Sequence, residues 1–413
     1  MSPPTDERLS RRAALRAGAT ALTAGVAALT GCSGLPPLGS RVRYGTVSVP
    51  DARAPTYRDW LPAPEAAPTD ADRDDYNVLA YDPPPDDAPA WTRGSIARNL
   101  VVASSDYVGV HIDDVDIAVG ISSIFETGNA AVLAGDIDPA TVDEGIAATS
   151  YEADGADGEY DLYTRPDIDR VLGVSTDGLV FGNGANAHDI VTSIADARRG
   201  DSQRYHDIST DFADLSAGAG SRRWTWLMPG SIFGSSDDTV WVDTVGRAFA
   251  FSHDDDGVYY VQTWLFPEGY GPTEGGIKAA LERRSRPPEA DAVEVTIDGR
   301  AATIEMARSL EAYREESSNT LVAPHVTWHP VYDADADTLR FEHEAGDTVE
   351  TDYLTVAVGE RDPITDFDVG DTIGPGEALT VSTADAESGT TVRLVYEAPD
   401  GNATATLAHR ELP

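Results

Sequence analysis

Cysteine is nearly missing from this chain of 413 residues, and so is lysine: each occurs once, as Cys32 and Lys278. A single cysteine excludes an intramolecular disulfide and leaves no thiol besides Cys32 for nucleophilic catalysis. Positive charge is scarce throughout, with 30 basic residues against 71 acidic ones and a formal charge of −41. No basic patch is in evidence, which argues against a nucleic-acid partner. Long apolar runs are missing too. The uncharged stretch from Ala17 to Gly31 has 15 residues, short of the roughly 20 that a membrane-spanning helix needs. There is no Gly-x-Ser-x-Gly nucleophile elbow.

What is present at the N-terminus gives an address. "LSRRAALRAGATALTAGVAALTGC" places Arg11, Arg12 and Arg16 ahead of that small-residue run and Cys32 directly after it. This is the layout of a secretion signal. The Arg11-Arg12 pair resembles the twin-arginine export signal, read by a receptor on proteins that cross the membrane already folded. Leu29-Thr30-Gly31-Cys32 resembles a lipobox. That resemblance implies cleavage before Cys32 and a lipid on its thiol, holding the protein at the extracellular face of the cell membrane.

Cleavage there removes Arg8, Arg11, Arg12 and Arg16 against Asp6 and Glu7, leaving the mature chain near −43. Such self-repulsion opposes a compact state at low ionic strength and is screened in molar salt, where the Debye length is about 3 Å. The acid-rich, lysine-poor composition resembles that of proteins from extreme halophiles, over the whole chain. Because the acids are spread along the length, a dedicated cation-binding surface is disfavoured.

Residues 32 to 75 are rich in Pro, Ala and Asp and read as a lipidated tether, with one short helix at "PTYRDWL". From Tyr76 to Glu316 the chain alternates strand-like and helix-like pieces. "VDIAVGIS" and "NAAVLAGDI" read as neighbouring strands, and "DPATVDEGIAATS" as a helix capped by Asp138 with Pro139 in its first turn. "PATVDEGI" is echoed by "PTEGGI". The fold class expected is therefore α+β: two related halves of antiparallel sheet with helices on one face, followed by an immunoglobulin-like β-sandwich over 318 to 413.

For that last region, "FEHEAGDTVETDYLTVAV", "FDVGDTIGPGEALTVS" and "TVRLVYEAPDGNATATLA" resemble the C-terminal β-domain of archaeal type IV pilins and pilin-like proteins. The chain has no pilin-type N-terminal helix, so filament assembly is not implied. "DIVTSIADARRGDSQRYHDISTDFADL" is similar to a group of exported halophile lipoproteins without an assigned function.

Four constellations invite chemistry. Gly182, Gly184 and Ala187 have dinucleotide-fingerprint spacing, but that motif needs a parallel βαβ unit. The strand before them reads as the second arm of a hairpin turning at Asp177-Gly178, which favours a glycine turn with Asn186 as helix cap. His325 and His329, four apart, would share one strand face, with no third zinc ligand in view. Asp333, Asp335, Asp337 and Glu344 have calcium-loop spacing, yet Thr338 stands where the loop needs glycine. Trp224 and Trp226 alternate, as on a strand, with Trp241 and Trp264 nearby in sequence. A core role is favoured over a sugar platform.

The sequence thus leads to the expectation of a non-enzymatic cell-surface lipoprotein acting as a binding or envelope-interaction module. No catalytic residue, metal or cofactor is assigned; the membrane is the partner through Cys32, and an envelope protein or glycan the ligand class. Asn402, in "PDGNAT", is a candidate glycosylation site. The alternative is an extracellular hydrolase or sugar-binding protein using the aromatic strands and scattered carboxylates.

Overall fold

Three short strands carry apolar residues at almost every position: "NVLAY", "IAVGIS" and "AAVLA". Such strands cannot lie half in water, and both of their faces must be covered. The computed structural model describes residues 42–67, 75–84, 95–122, 130–230, 244–283, 289–317, 321–359, 361–384, 386–398 and 403–413, and shows how. Arg11, Arg12, Cys32, Trp241, Asn402 and the boundary at Ser318 lie outside the described residues.

The strands of the body are β1 (Asn77–Tyr81), β2 (Ile117–Ser122), β3 (Ala130–Ala134), β4 (Glu152–Asp157), β5 (Tyr160–Arg165) and β6 (Arg170–Ser175). They continue with β7 (Gly178–Asn183), β8 (Trp224–Pro229), β9 (Gly246–His253), β10 (Gly257–Leu265), β11 (Ala292–Asp298) and β12 (Ala301–Ser309). Among the described residues these twelve form one sheet, in the order β11-β12-β10-β9-β8-β1-β2-β3-β7-β6-β5-β4. Every pairing between these strands is antiparallel. The protein is a mixed α+β chain built mostly of antiparallel sheet.

Its helices are α1 (Ile96–Ser104), α2 (Pro139–Ile146), α3 (Ala187–Arg199), α4 (Tyr205–Ile208), α5 (Thr210–Ala219), α6 (Glu274–Arg283) and α7 (Leu310–Ser317). They do not share one face. Val78 and Ala80 pack under Ile190, Ile194, Phe212 and Leu215 of α3 and α5. Leu79 and Tyr81, pointing the other way, pack with Val101 of α1 and Val142 of α2. The expectation of helices on a single face is corrected here, and its cause is the unbroken apolar pattern of β1 to β3. The echoed segments form α2 and α6, each following a hairpin, β2-β3 and β9-β10 respectively.

Local signals explain the helix ends. Asp138 caps α2, accepting from Ala140 N at 3.1 Å with Pro139 in the first turn. α3 stops at Gly200, whose φ of +80° suits glycine and whose N–H closes on Ala197 and Asp196. Asn186 stands at the N-cap of α3 but makes no capping bond with its side chain.

The presumed tether is shorter than its composition suggests. Residues 42–67 lie against the body, with a 3-10 turn over Thr56–Trp60 and with Tyr57, Trp60 and Leu61 buried in the core beneath α3. Three large apolar residues within five positions outweigh the surrounding Pro and Ala, since burying each contributes about 1.5–3 kcal/mol.

The C-terminal strands are β13 (Val326–Asp333), β14 (Thr338–Gly346), β15 (Val349–Glu350), β16 (Leu354–Val358), β17 (Thr372–Ile373), β18 (Ala378–Ser382), β19 (Thr391–Glu397) and β20 (Thr404–Glu411). They form the sheets β13-β14-β18 and β16-β19-β20 and the pair β15-β17. Trp328, Phe341, Leu379, Val356 and Leu394, drawn from both larger sheets, close a separate core. β20 also touches β13 and α1, so this region sits on the body beside α1.

Candidate functional site

The polar side chains that the fold gathers lie where α1 and the loop after it meet the C-terminal strands. Ser95 opens α1 by accepting from Arg98 N at 3.0 Å. That cap orients a helix whose second residue pair, Arg98 and Asn99, holds the incoming chain. Arg98, 1% exposed, forks onto Asp113 at 3.1 and 3.2 Å and donates to the Ala323 carbonyl at 2.6 Å. Asn99 donates to Leu321 O and accepts from Ala323 N. Burial pushes the Asp113 carboxyl up, and the Arg98 guanidinium outweighs it, leaving the pKa below its ordinary value.

Asp106 is the centre of a second group. It accepts from Arg165 Nη1 at 3.0 Å, Arg170 Nη1 at 2.5 Å and Tyr151 OH at 2.9 Å. Burial alone would raise its pKa; Arg170 and Arg165 prevail and hold it at about 2. Arg165 is fully engaged, adding Asp167 at 3.0 and 2.6 Å and the Trp328 carbonyl at 2.8 Å. Arg410 of β20 donates in turn to the Asp167 carbonyl. Carboxylates and guanidiniums thus tie β5, β6 and the Ser105–Asp106 loop to β13 and β20.

The histidines that the sequence places together are kept apart. His325 precedes β13 and His329 lies within it, and each meets partners of its own; the residue left over where the β13-β14 register shifts is Glu344 of β14. His325 is fully buried; its Nδ1 accepts from Ile112 N at 3.2 Å, which leaves Nε2 protonated and facing Ser105 Oγ at 3.4 Å. Burial, then His111 and Arg98, push its pKa down to about 3. His329 instead lies beside Ser150 and Glu344. Ser150 Oγ is 2.9 Å from His329 Nδ1, but the hydroxyl donates to Glu344 Oε1 and the Ser150 N–H to Glu344 Oε2. One imidazole nitrogen faces both partners, whereas a catalytic triad divides them between two. The geometry is that of a clamp.

The other candidates resolve likewise. Gly182 is the last residue but one of β7, which is antiparallel to both β3 and β6; a Cβ there would lie 2.2 Å from the Ala187 carbonyl oxygen. Its glycine serves close packing against α3, and the parallel unit needed for a dinucleotide is not formed. Asp333 accepts from Asp335 N and Ala336 N within the β13-β14 turn, while Glu344 points away to Ser150. Trp224 and Trp226 share a face and pack at the edge of the α1 core cluster, and Trp264 is buried under α6. No group of three His, Cys, Asp or Glu suited to a metal occurs among the described residues.

Between the two regions a cleft of about 670 Å³ remains, floored by Arg170, Asn183 and Gly184 and walled by Thr406, His409 and Arg410. Arg170 is fixed there by Asn183 Oδ1 at 2.6 Å as well as by Asp106. At the cleft wall, partial desolvation, then Arg170 and Arg393, lower the His409 pKa. Sequence reasoning missed this site because its members come from segments far apart in the chain, Arg165 and Asp106 being 59 residues apart and Arg98 and Ala323 225. Asp106 and Arg165 lie within otherwise ordinary loop and strand stretches.

No family model matches the chain, and no curated protein matches it. Among solved structures, crystal form IV of TP0453 matches at 10% identity and a TM-score of 0.36, over 63% of this chain and 98% of that one. Crystal form I matches at 8% and 0.34, over 62% and 97%. Likeness of that degree carries no argument about function.

Proposed function

We propose that the protein is a non-enzymatic surface lipoprotein, exported through the Arg11-Arg12 signal and held by a lipid on Cys32, whose body and C-terminal strands frame a binding cleft. The observation that carries the binding reading is the cleft itself: its walls come from both regions, and its charged members are fixed by one another. Asp106, Arg165 and Arg170 preorganise the floor, which limits what a ligand must order on arrival. Side chains that could serve chemistry are engaged otherwise, Ser150 by Glu344 and His325 by Ile112 and Ser105.

The two C-terminal sheets around one core support reading this region as an immunoglobulin-like sandwich, similar to the archaeal pilin β-domain. The expected ligand is an envelope protein or glycan. Thermal melting in molar KCl with oligosaccharides, nucleotides, zinc and calcium tests this. A ligand at a hundred times its Kd stabilises by about 2.7 kcal/mol, and Thr406→Trp, which fills the cleft, should abolish the shift. A nucleotide or zinc shift lost with Gly184 or His329 altered would overturn the reading, and a sugar shift lost only with Trp224→Ala would favour the sugar-binding alternative.

A further inference from the structure

The chain enters the body at one edge of the sheet. Gly45 N donates to Val293 O at 3.0 Å and Val293 N to Arg43 O at 2.8 Å, so residues 43–45 extend the sheet beyond β11. Lys278, the chain's single lysine, sits 4.8 Å from the centre of the Tyr44 ring, and Tyr44 OH donates to the Lys278 carbonyl at 3.1 Å. Val42 is buried with Phe266, Ile277 and Leu281 in the cluster under α6. From Cys32 to Val42 there are ten peptide links, which span at most about 36 Å when fully extended. The twelve strands, at about 4.8 Å each, put the β4 edge roughly 50 Å from the β11 edge along the sheet. A lipid at Cys32 therefore keeps the β11 edge within about 36 Å of the bilayer, whereas it sets no such limit on the β4 edge.

Surface chemistry points the same way. Near the entry point Arg43 pairs with Asp291 at 4.0 Å and Lys278 with Glu274 at 2.5 Å, and Arg283, the last residue of α6, is exposed. Tyr270, 48% exposed, stacks on Phe266 with ring centres 4.7 Å apart, over the cluster that buries Val42. An amphipathic ring of this kind suits the headgroup layer. The far edge carries Glu152, Asp154, Asp157, Glu159 and Asp161 within ten residues and no basic residue among them, whereas the near edge sets Arg43 and Arg283 against acids of its own, Glu289, Asp291, Glu294 and Asp298. We propose that the β11 edge, with Tyr270, Arg43 and Arg283, lies against the lipid surface that anchors the protein, and that the β4 edge faces outward. The proposal rests on lipidation of Cys32.

The test uses the lipidated full-length protein in molar KCl, reconstituted in vesicles of phosphatidylcholine and phosphatidylglycerol that carry a nitroxide on the headgroup. A bimane label is placed through Gly271→Cys, where an added side chain meets open space, or through Glu159→Cys in the β4-β5 turn. Quenching should be several-fold stronger at position 271 than at 159. A long Gly-Ser insertion after Gly39 should reduce quenching at 271 while the protein still floats with the vesicles. Equal quenching at both positions in floating protein would overturn the orientation alone; wild-type protein that does not float would overturn the lipid reading and the orientation with it.

Discussion

Asp106 is the residue whose loss should be felt most, because it neutralises two arginines that the fold has taken out of water. Asp106→Asn would leave Arg165 without its full complement while it remains buried, and breaking a buried pair from one side costs about 3–5 kcal/mol. Urea unfolding in molar KCl should show that loss, whereas Asp333→Asn in the exposed turn should change stability little. His325 contributes to the pH response. Its folded pKa of about 3 lies below its ordinary 6.5, so the unfolded chain binds the proton more readily and stability falls as pH drops below about 6.5. By pH 5 the loss from this one group is about 2 kcal/mol. Melting between pH 7.5 and 5 should fall steeply in the wild type and less in His325→Asn; equal slopes would show that His325 is not the group responsible.

Among the elements, the segment over Thr56–Trp60 is the one composition hides. Trp60 lies in the core and against the Arg198 guanidinium, 4.9 Å from its ring centre. Trp60→Ala should therefore cost about 3–5 kcal/mol, as truncation of a core aromatic does; a free tether would tolerate it without change in melting temperature. The sequence marked this helix by its aromatic and leucine but its Pro- and Ala-rich surroundings read as spacer. Other elements were legible because their signals are local: Asp138-Pro139 opens α2, Gly200 closes α3, and Asp177-Gly178 turns β6 into β7. Asp154-Gly155 also reads as a turn, yet it lies inside β4 at a register shift, with Gly155 at φ +99°. The bulge that leaves Glu344 of β14 outside the β13 register has no such local mark. The cleft was illegible for a related reason, since pairing Asp106 with Arg165 requires the sheet order, which no single stretch encodes.

At the scale of the whole molecule, the acidic charge governs stability, and the proposed anchor would set where the protein resides. The chain's formal charge of −41 is only partly offset within the fold, by pairs such as Arg300 with Asp211 and Asp214 at 2.5 and 2.7 Å. Exposed pairs of this kind contribute little each, so screening must do most of the work. Circular dichroism at decreasing KCl should show a cooperative loss of structure, and a fold that persists at millimolar salt would show that local pairs suffice. Among the described residues no helix is long and apolar enough to cross a membrane; the attachment proposed is the lipid on Cys32. Membrane fractionation of wild type and Cys32→Ser, side by side in molar KCl, tests that most directly. Wild type should sediment with membranes, and the variant should be exported, soluble and unchanged in melting temperature; a variant that still sediments after a high-salt wash would contradict the account.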